Sequence, residues 1–181
     1  MATYLAKGAT NTYFTVGSYY TPGDPLDTYH STRAYMRFDL SGTGLSLGDI
    51  TSVKLYVYPH YQQAGGVDIS TLKSAISTDS NWGTTVDATE ADWLSTAAHI
   101  EDTGVDLSTN GAYVSYTIDK NNIDLSGTLW LKILDEREGT TYTTSPRYTG
   151  IYSQDSASNK PYVEIITSDG TVYTFAGVCT N

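Results

Sequence analysis

Residues 50–58 read ITSVKLYVY, so that Val53, Leu55 and Val57 alternate with lysine and tyrosine. Residues 32–40, TRAYMRFDL, show the same alternation. A period of two residues is typical of a β-strand with one buried face. Further strands of this type are predicted at residues 112–118, 128–135 and 160–167, with weaker ones at residues 10–16, 67–75, 147–153 and 171–175.

Turn signals separate these segments, among them Gly65-Gly66, Asn110-Gly111 and Asp169-Gly170. Only residues 89–98 have helical character. Many short strands without long helical periodicity indicate an all-β protein. We therefore expect a jelly-roll-like antiparallel β-sandwich, with residues 1–181 forming a single domain.

Composition and charge exclude two classes of partner. The chain has 16 tyrosines and 16 glycines, and its formal net charge is −10. Nucleic-acid binding requires a basic surface, so no nucleic-acid partner is expected. No stretch approaches the roughly 20 apolar residues of a membrane span, so no membrane insertion is expected.

The termini suggest where the protein works. The first residues, MATYLAK, contain no secretion signal, and Cys179 is the single cysteine, which precludes an internal disulfide. We expect an extracellular location or the surface of a particle such as a virion, whose proteins assemble without an export signal.

Several blocks of the sequence resemble DNRLRE-type domains, which are non-catalytic β-sandwich modules of surface proteins and of proteins associated with polysaccharide lyases. Residues 32–58 resemble the opening strands of these domains, and Asp79-Ser80-Asn81-Trp82 resembles their central tryptophan loop. Lys160-Pro161-Tyr162-Val163-Glu164-Ile165 resembles their closing motif.

The resemblance covers about residues 9–167, and a strand-like tail at residues 168–181 follows. It implies a jelly-roll sandwich, a structural calcium ion, and association with glycans or surfaces.

No catalytic motif is present in the sequence. The histidines are scattered, and no nucleophile elbow or zinc-protease motif occurs. Asp135, Glu136 and Glu138 lie close together, as a glycosidase pair would, but we interpret them as a solvated turn after a strand. The protein is therefore not expected to be an enzyme.

Calcium is the one ion that the loops would suit, because it prefers oxygen ligands. No cofactor is required, and Asx turns are the alternative interpretation of the same residues. The candidate calcium ligands are Asn11, Asp24, Asp27, Asp155 and Asn159.

Aromatic residues predicted to lie opposite the aliphatic face could stack on sugar rings or contact a protein partner. Cross-strand tyrosine pairing on a solvated sheet is the alternative. The candidate ligand face consists of Tyr35, Tyr56, Tyr58, His60, Tyr61 and Trp130, with a second cluster of Tyr142, Tyr148 and Tyr152 together with Arg147.

Two functions fit these observations. The first is a structural display module on the surface of a larger assembly, such as a virion decoration protein, which contacts other protein subunits; glycan binding is compatible with this role but not required by it. The second is a carbohydrate-binding module associated with a polysaccharide-degrading enzyme. Loss of glycan binding on substitution of Tyr58 or Trp130 would favour the second.

Overall fold

The computed structural model describes residues 13–21, 28–64, 73–78, 100–135, 147–153 and 155–180. Thirteen strands lie within these ranges, with short 3-10 turns at Leu47–Asp49 and Lys120–Asn122. The strands are β1 (Tyr13–Thr21), β2 (Thr28–Thr32), β3 (Ala34–Asp39), β4 (Ile50–Val57), β5 (Pro59–Ala64), β6 (Lys73–Thr78), β7 (Ile100–Asp106), β8 (Val114–Thr117), β9 (Thr128–Asp135), β10 (Arg147–Tyr152), β11 (Tyr162–Thr167), β12 (Val172–Ala176) and β13 (Val178–Thr180).

The strands form two layers in which every described pairing is antiparallel. The first layer contains two four-stranded sheets, ordered β2-β1-β10-β5 and β12-β11-β4-β8. These sheets meet at Tyr58, between β4 and β5, where the backbone N–H of Tyr152 donates to the Tyr58 carbonyl over 3.1 Å. The second layer is one sheet, ordered β13-β3-β9-β6-β7.

One hydrophobic core lies between the layers and takes side chains from all three sheets. Phe38, Leu55 and Leu131 are completely buried, and they occupy the positions that the alternating pattern predicts to face inward. Apolar side chains on one face of each strand drive this packing, because burial removes them from water. The all-β class and the antiparallel sandwich are thus confirmed.

Four strands were not predicted: β2, β5, β7 and the end strand β13, which falls within the predicted strand-like tail. Residues 28–32 read TYHST and residues 59–64 read PHYQQA, so neither stretch alternates aliphatic with polar residues. The predicted helix at residues 89–98 lies outside the described residues. None of the helices in the described part of the chain is long and apolar enough to cross a membrane.

Candidate functional site

A row of aromatic side chains, here named the tyrosine strip, crosses the outer face of the first layer. Outward positions on neighbouring strands lie side by side: Tyr162 is opposite Tyr56, and Tyr13 is opposite Tyr152. The members of the tyrosine strip, in spatial order, are Tyr162, Tyr56, Tyr113, Tyr58, Tyr152, His60 and Tyr13.

Tyr113 is the centre of one half of the strip. The rings of Tyr56 and Tyr162 are stacked, with centroids 4.8 Å apart and planes at 10°. Tyr113 lies nearly perpendicular to both, at 82° to Tyr56 and 73° to Tyr162. It also contacts Tyr58 at 5.1 Å and 88°. Offset-stacked and edge-to-face pairs are favourable aromatic geometries, so this half of the strip is well packed.

The other half of the strip lies where β5, β10 and β1 adjoin. The Tyr152 ring is 5.8 Å from Tyr58 and 4.4 Å from His60, and the His60 ring is 6.0 Å from Tyr13. The aromatic contacts therefore continue from β11 to β1 across the junction of the two sheets.

The turn at residues 110–111 places Tyr113 over its neighbours. Gly111 has a φ of 86°, a left-handed conformation that favours glycine. Its N–H donates to the Pro59 carbonyl over 3.4 Å, which ties the turn to the beginning of β5. A Cβ at this position would also come within 4.0 Å of the Tyr58 hydroxyl, so the turn lies directly against the strip.

Two tyrosine hydroxyls of the strip donate to protein acceptors. Tyr56 Oη donates to Glu164 Oε1 over 3.2 Å, and Tyr113 Oη donates to the Lys160 carbonyl over 3.3 Å. Lys54 is directly opposite Glu164 in the β4–β11 register. Because each phenol proton is already donated, each phenol oxygen can form further hydrogen bonds only as an acceptor, through its lone pairs.

The phenols of this part of the strip stay protonated well above neutral pH. Burial raises the pKa of Tyr56, Tyr113 and Tyr162. The negative charge of Glu164 raises the pKa of Tyr56 and Tyr162 further, because a second negative charge nearby is unfavourable. Neutral hydroxyls at the edges of apolar rings form an amphipathic surface.

The strip is partly accessible to solvent. Tyr113 is 40% exposed and Tyr13 is 39% exposed, which makes them two of the most exposed large apolar side chains that the structure describes. His60 is exposed, whereas Tyr56, Tyr58, Tyr152 and Tyr162 are half-buried. A binding partner would therefore meet Tyr113 and Tyr13 first.

The structure brings together four of the predicted ligand residues: Tyr56, Tyr58 and His60 of the first group and Tyr152 of the second cluster. Tyr148 lies in β10 of the same layer. It is two residues before Gly150 and four residues before Tyr152, so it shares their face of the strand. Tyr61 is described through its backbone, which pairs with Gly150 in β10.

Two other predicted residues are not placed by their side chains. Arg147 is described through its backbone at the start of β10, where it pairs with Ala64 of β5. Tyr142 lies outside the described residues.

Sequence reasoning omitted Tyr13, Tyr113 and Tyr162 from the ligand face. The alternation did predict that Tyr162 lies opposite Val163 and Ile165, which the structure confirms. The alternation did not show that β11 pairs with β4, and this pairing places Tyr162 against Tyr56.

The prediction that Tyr35 and Trp130 share a face with Tyr56 is wrong. Their strands, β3 and β9, pair with each other in the second layer rather than with β4. Tyr35 is buried, and Trp130 is half-buried with the Arg37 guanidinium 5.8 Å from its ring centroid, within the range of a cation–π contact. The chain changes layers between β3 and β4, so adjacency in sequence did not give adjacency in space.

Two polar residues of β9 are buried, contrary to expectation. Lys132, predicted to lie outward beside Trp130, is fully buried, and Asp135, predicted to be solvated, is 3% exposed. Asp135 ends the strand opposite Ser74 of β6, which keeps it inside the sheet. Glu136 and Glu138 lie outside the described residues.

Of the predicted calcium ligands, Asn11, Asp24 and Asp27 lie outside the described residues. Asp155 is exposed in the loop after β10, and its N–H donates to Ser153 Oγ over 3.1 Å. Asn159 has a φ of 62°, as asparagine in a tight turn often does. Within the described ranges, no three His, Cys, Asp or Glu residues are grouped as metal ligands. Calcium binding stays a prediction.

A separate open pocket of about 480 Å³ lies between residues 42–47 and residues 123–126. Leu45, Leu47 and Leu125 line it together with Asp124. The Asp124 carboxylate accepts hydrogen bonds from Ser126, at 2.9 Å from the backbone nitrogen and 2.7 Å from Oγ. This carboxylate therefore serves the local turn.

Comparison of the sequence with models of known protein families and with curated proteins finds no match. The resemblance to DNRLRE-type domains accordingly stays a prediction.

Proposed function

We propose that this protein is a non-catalytic binding module that holds a glycan chain on its tyrosine strip. The observation that carries the proposal is the continuity of seven aromatic rings across one sheet face, with consecutive centroids 4.4–6.5 Å apart. An extended surface of this kind suits a polymer that lies along it.

The chemistry of the strip matches that of a sugar chain. Pyranose rings present C–H groups on their faces and hydroxyl groups around their edges. Tyrosine rings offer apolar faces to the C–H groups and oxygen atoms to the hydroxyl groups. Small-molecule sites, in contrast, are usually concave and enclose most of the ligand surface.

The exposed rings favour binding over a purely structural role. Cross-strand aromatic pairs stabilise a sheet, and the stacking of Tyr56 on Tyr162 does so here. That role needs only contact between the rings, whereas binding also needs a ring that a ligand can reach, and Tyr113 is 40% exposed.

The proposal includes display on the surface of a larger assembly, which the sequence predicts and which agrees with a non-catalytic role. The module would hold glycan while other protein subunits anchor it. Association with a polysaccharide-degrading enzyme is the alternative setting for the same binding face.

Substitution of Tyr113 tests the proposal. Tyr113→Ala removes the ring that contacts three others and should weaken glycan binding at least about fivefold, ~1 kcal/mol. Tyr113→Phe keeps the ring and removes only the phenol oxygen, so it should weaken binding less than Tyr113→Ala does. Binding is measured by affinity electrophoresis and calorimetry against a panel of soluble polysaccharides.

Val172→Ala is the matched control, since Val172 is 53% exposed and pairs with Ile166 at an outward position of the same sheet, away from the strip. It should leave binding unchanged. A folded protein that binds no polysaccharide of the panel, or equal binding by Tyr113→Ala, would refute the proposal.

A further inference from the structure

We infer that the tyrosine strip selects uncharged glycan chains over chains that carry carboxylate or sulfate groups. The inference rests on the proposed function and adds the substrate class. It is drawn from the hydrogen bonds and the charges on the strip.

The hydrogen-bond donors of the strip are already in use at two tyrosines. Tyr56 donates its phenol proton to Glu164, and Tyr113 donates to the Lys160 carbonyl. What these phenols can offer a ligand is the lone pairs of their oxygens, and an ionised Glu164 likewise only accepts. Tyr56, Tyr113 and Glu164 therefore present acceptors to a ligand.

Acceptors match neutral sugars, whose hydroxyl groups donate. A uronate or sulfate group has only acceptor oxygens, so it would lose its hydration without gaining a donor from Tyr56, Tyr113 or Glu164. Proteins that recognise such groups commonly use the forked donors of arginine or clustered cations.

The local charges do not favour an anion either. Glu164 lies within the strip, and Lys54 opposite it balances the charge. Exposed Lys160 lies two residues before Tyr162, and exposed Asp155 lies three residues after Tyr152. These four charges sum to zero, so they form no cationic patch.

The charge of the whole chain acts in the same direction. Twenty acidic side chains exceed ten basic ones, for a net charge of −10. A polyanion approaching this molecule is repelled over the distance that salt screening allows, whereas a neutral chain is not.

The experiment compares glycans that share a backbone and differ in charge: methyl-esterified and free-acid galacturonan, and laminarin and sulfated laminarin. Where a pair binds to the protein, its neutral member should bind at least about tenfold more tightly than its charged member at 20 mM NaCl. The ratio should shrink severalfold at 500 mM NaCl, as the Debye length falls from roughly 20 Å to about 4 Å, but it should not vanish.

Glu164→Gln removes the charge within the strip and adds an amide donor, so it should reduce the preference for the neutral member at least about threefold. Asp49→Asn is the matched control. It removes one charge at the other end of β4, where Asp49 Oδ2 accepts from Ser46 Oγ over 2.6 Å. The control should leave the preference near that of the original protein.

Each outcome has a defined meaning. Equal or tighter binding of the charged members by the original protein would overturn the inference and leave glycan binding intact. An Asp49→Asn effect as large as that of Glu164→Gln would overturn the assignment of selectivity to the strip. If no member of either kind binds, and none of the wider panel does, the proposed function itself fails.

Discussion

Gly177 is the residue at which the chain passes from the first layer to the second. It lies between β12 in the first layer and β13 in the second, and its N–H donates to the Pro161 carbonyl over 3.2 Å. A Cβ built on Gly177 would lie 2.5 Å from Cε1 and 2.7 Å from Cζ of Phe38. Glycine is therefore required by close packing against a core ring that has no room to move away.

Gly177→Ala should lower the free energy of unfolding by about 1–3 kcal/mol, since overpacking a filled core forces side chains or backbone to shift. Urea unfolding at neutral pH measures the change. Gly48→Ala is the control and should stay within about 0.5 kcal/mol, because its Cβ would meet only Ser46 Oγ at 3.7 Å. Equal stability of the two variants would show that Phe38 has more freedom than its packing indicates.

At the scale of elements, one short motif occurs at the ends of β3 and β7 and again before β9. The sequence Asp-Leu-Ser occurs at residues 39–41, 106–108 and 124–126. In each copy the aspartate Oδ1 accepts from the serine N–H, over 2.9, 2.7 and 2.9 Å respectively. The leucine between them is buried at residues 40 and 107 and partly buried at residue 125. The motif thus turns the chain and also places an apolar side chain against the core.

Turns in which an aspartate carboxylate accepts hydrogen bonds from nearby residues predict a loss of stability in acid. Hydrogen bonds from Ser41 and Ser126 lower the pKa of Asp39 and Asp124, and those from Thr167 and Thr171 lower the pKa of Asp169. The unfolded chain binds protons at higher pH than the folded one, so this contribution is present above about pH 4 and is lost as the pH falls through the folded-state pKa values.

Urea unfolding between pH 5 and pH 2 measures this slope. The triple variant D39N/D124N/D169N keeps an acceptor oxygen in each turn but does not titrate, so its stability should depend less on pH across that range. A slope identical to that of the original protein would contradict the assignment of the three carboxylates.

At the scale of the whole molecule, the C-terminal segment joins the layers. β12 pairs with β11 in the first layer, and β13 then pairs with β3 in the second, with Val178 opposite Arg37 and Thr180 opposite Tyr35. β13 covers the edge of β3, and exposed edges allow other chains to pair with a sheet.

Removal of residues 178–181 should lower the free energy of unfolding by about 2 kcal/mol through loss of edge hydrogen bonds. It should also make the protein aggregate at high concentration, because β3 becomes an edge strand. Thermal unfolding and light scattering measure the two effects. Thr180→Ser is the control, since it keeps the backbone pairing and should match the original protein in stability and aggregation. If the truncated chain also matched the original protein, β13 would contribute nothing to stability or to protection of the edge.

Part of the candidate site was accessible from the sequence. Alternation identified Tyr56 and Tyr58 as outward residues, and His60 with them. It could not join them to Tyr113 and Tyr162, and it assigned Tyr35 to the wrong surface. Likewise β7, whose residues IEDTGVD are mostly polar, has no alternation strong enough to predict a strand. Its register with β6 comes from pairing across the sheet.

The sequence alone determined that the aliphatic side chains of the alternating strands face the core, as at Phe38, Leu55 and Leu131, because the direction of a side chain in a strand depends on a local period of two residues. It did not show that Tyr35 and Lys132, on the opposite face of their strands, are also buried. Only the tertiary structure decided which strands are neighbours and which layer each one joins. Those choices come from contacts between residues far apart in the chain, such as Tyr56 with Tyr162 and Gly177 with Phe38, and no local pattern contains them.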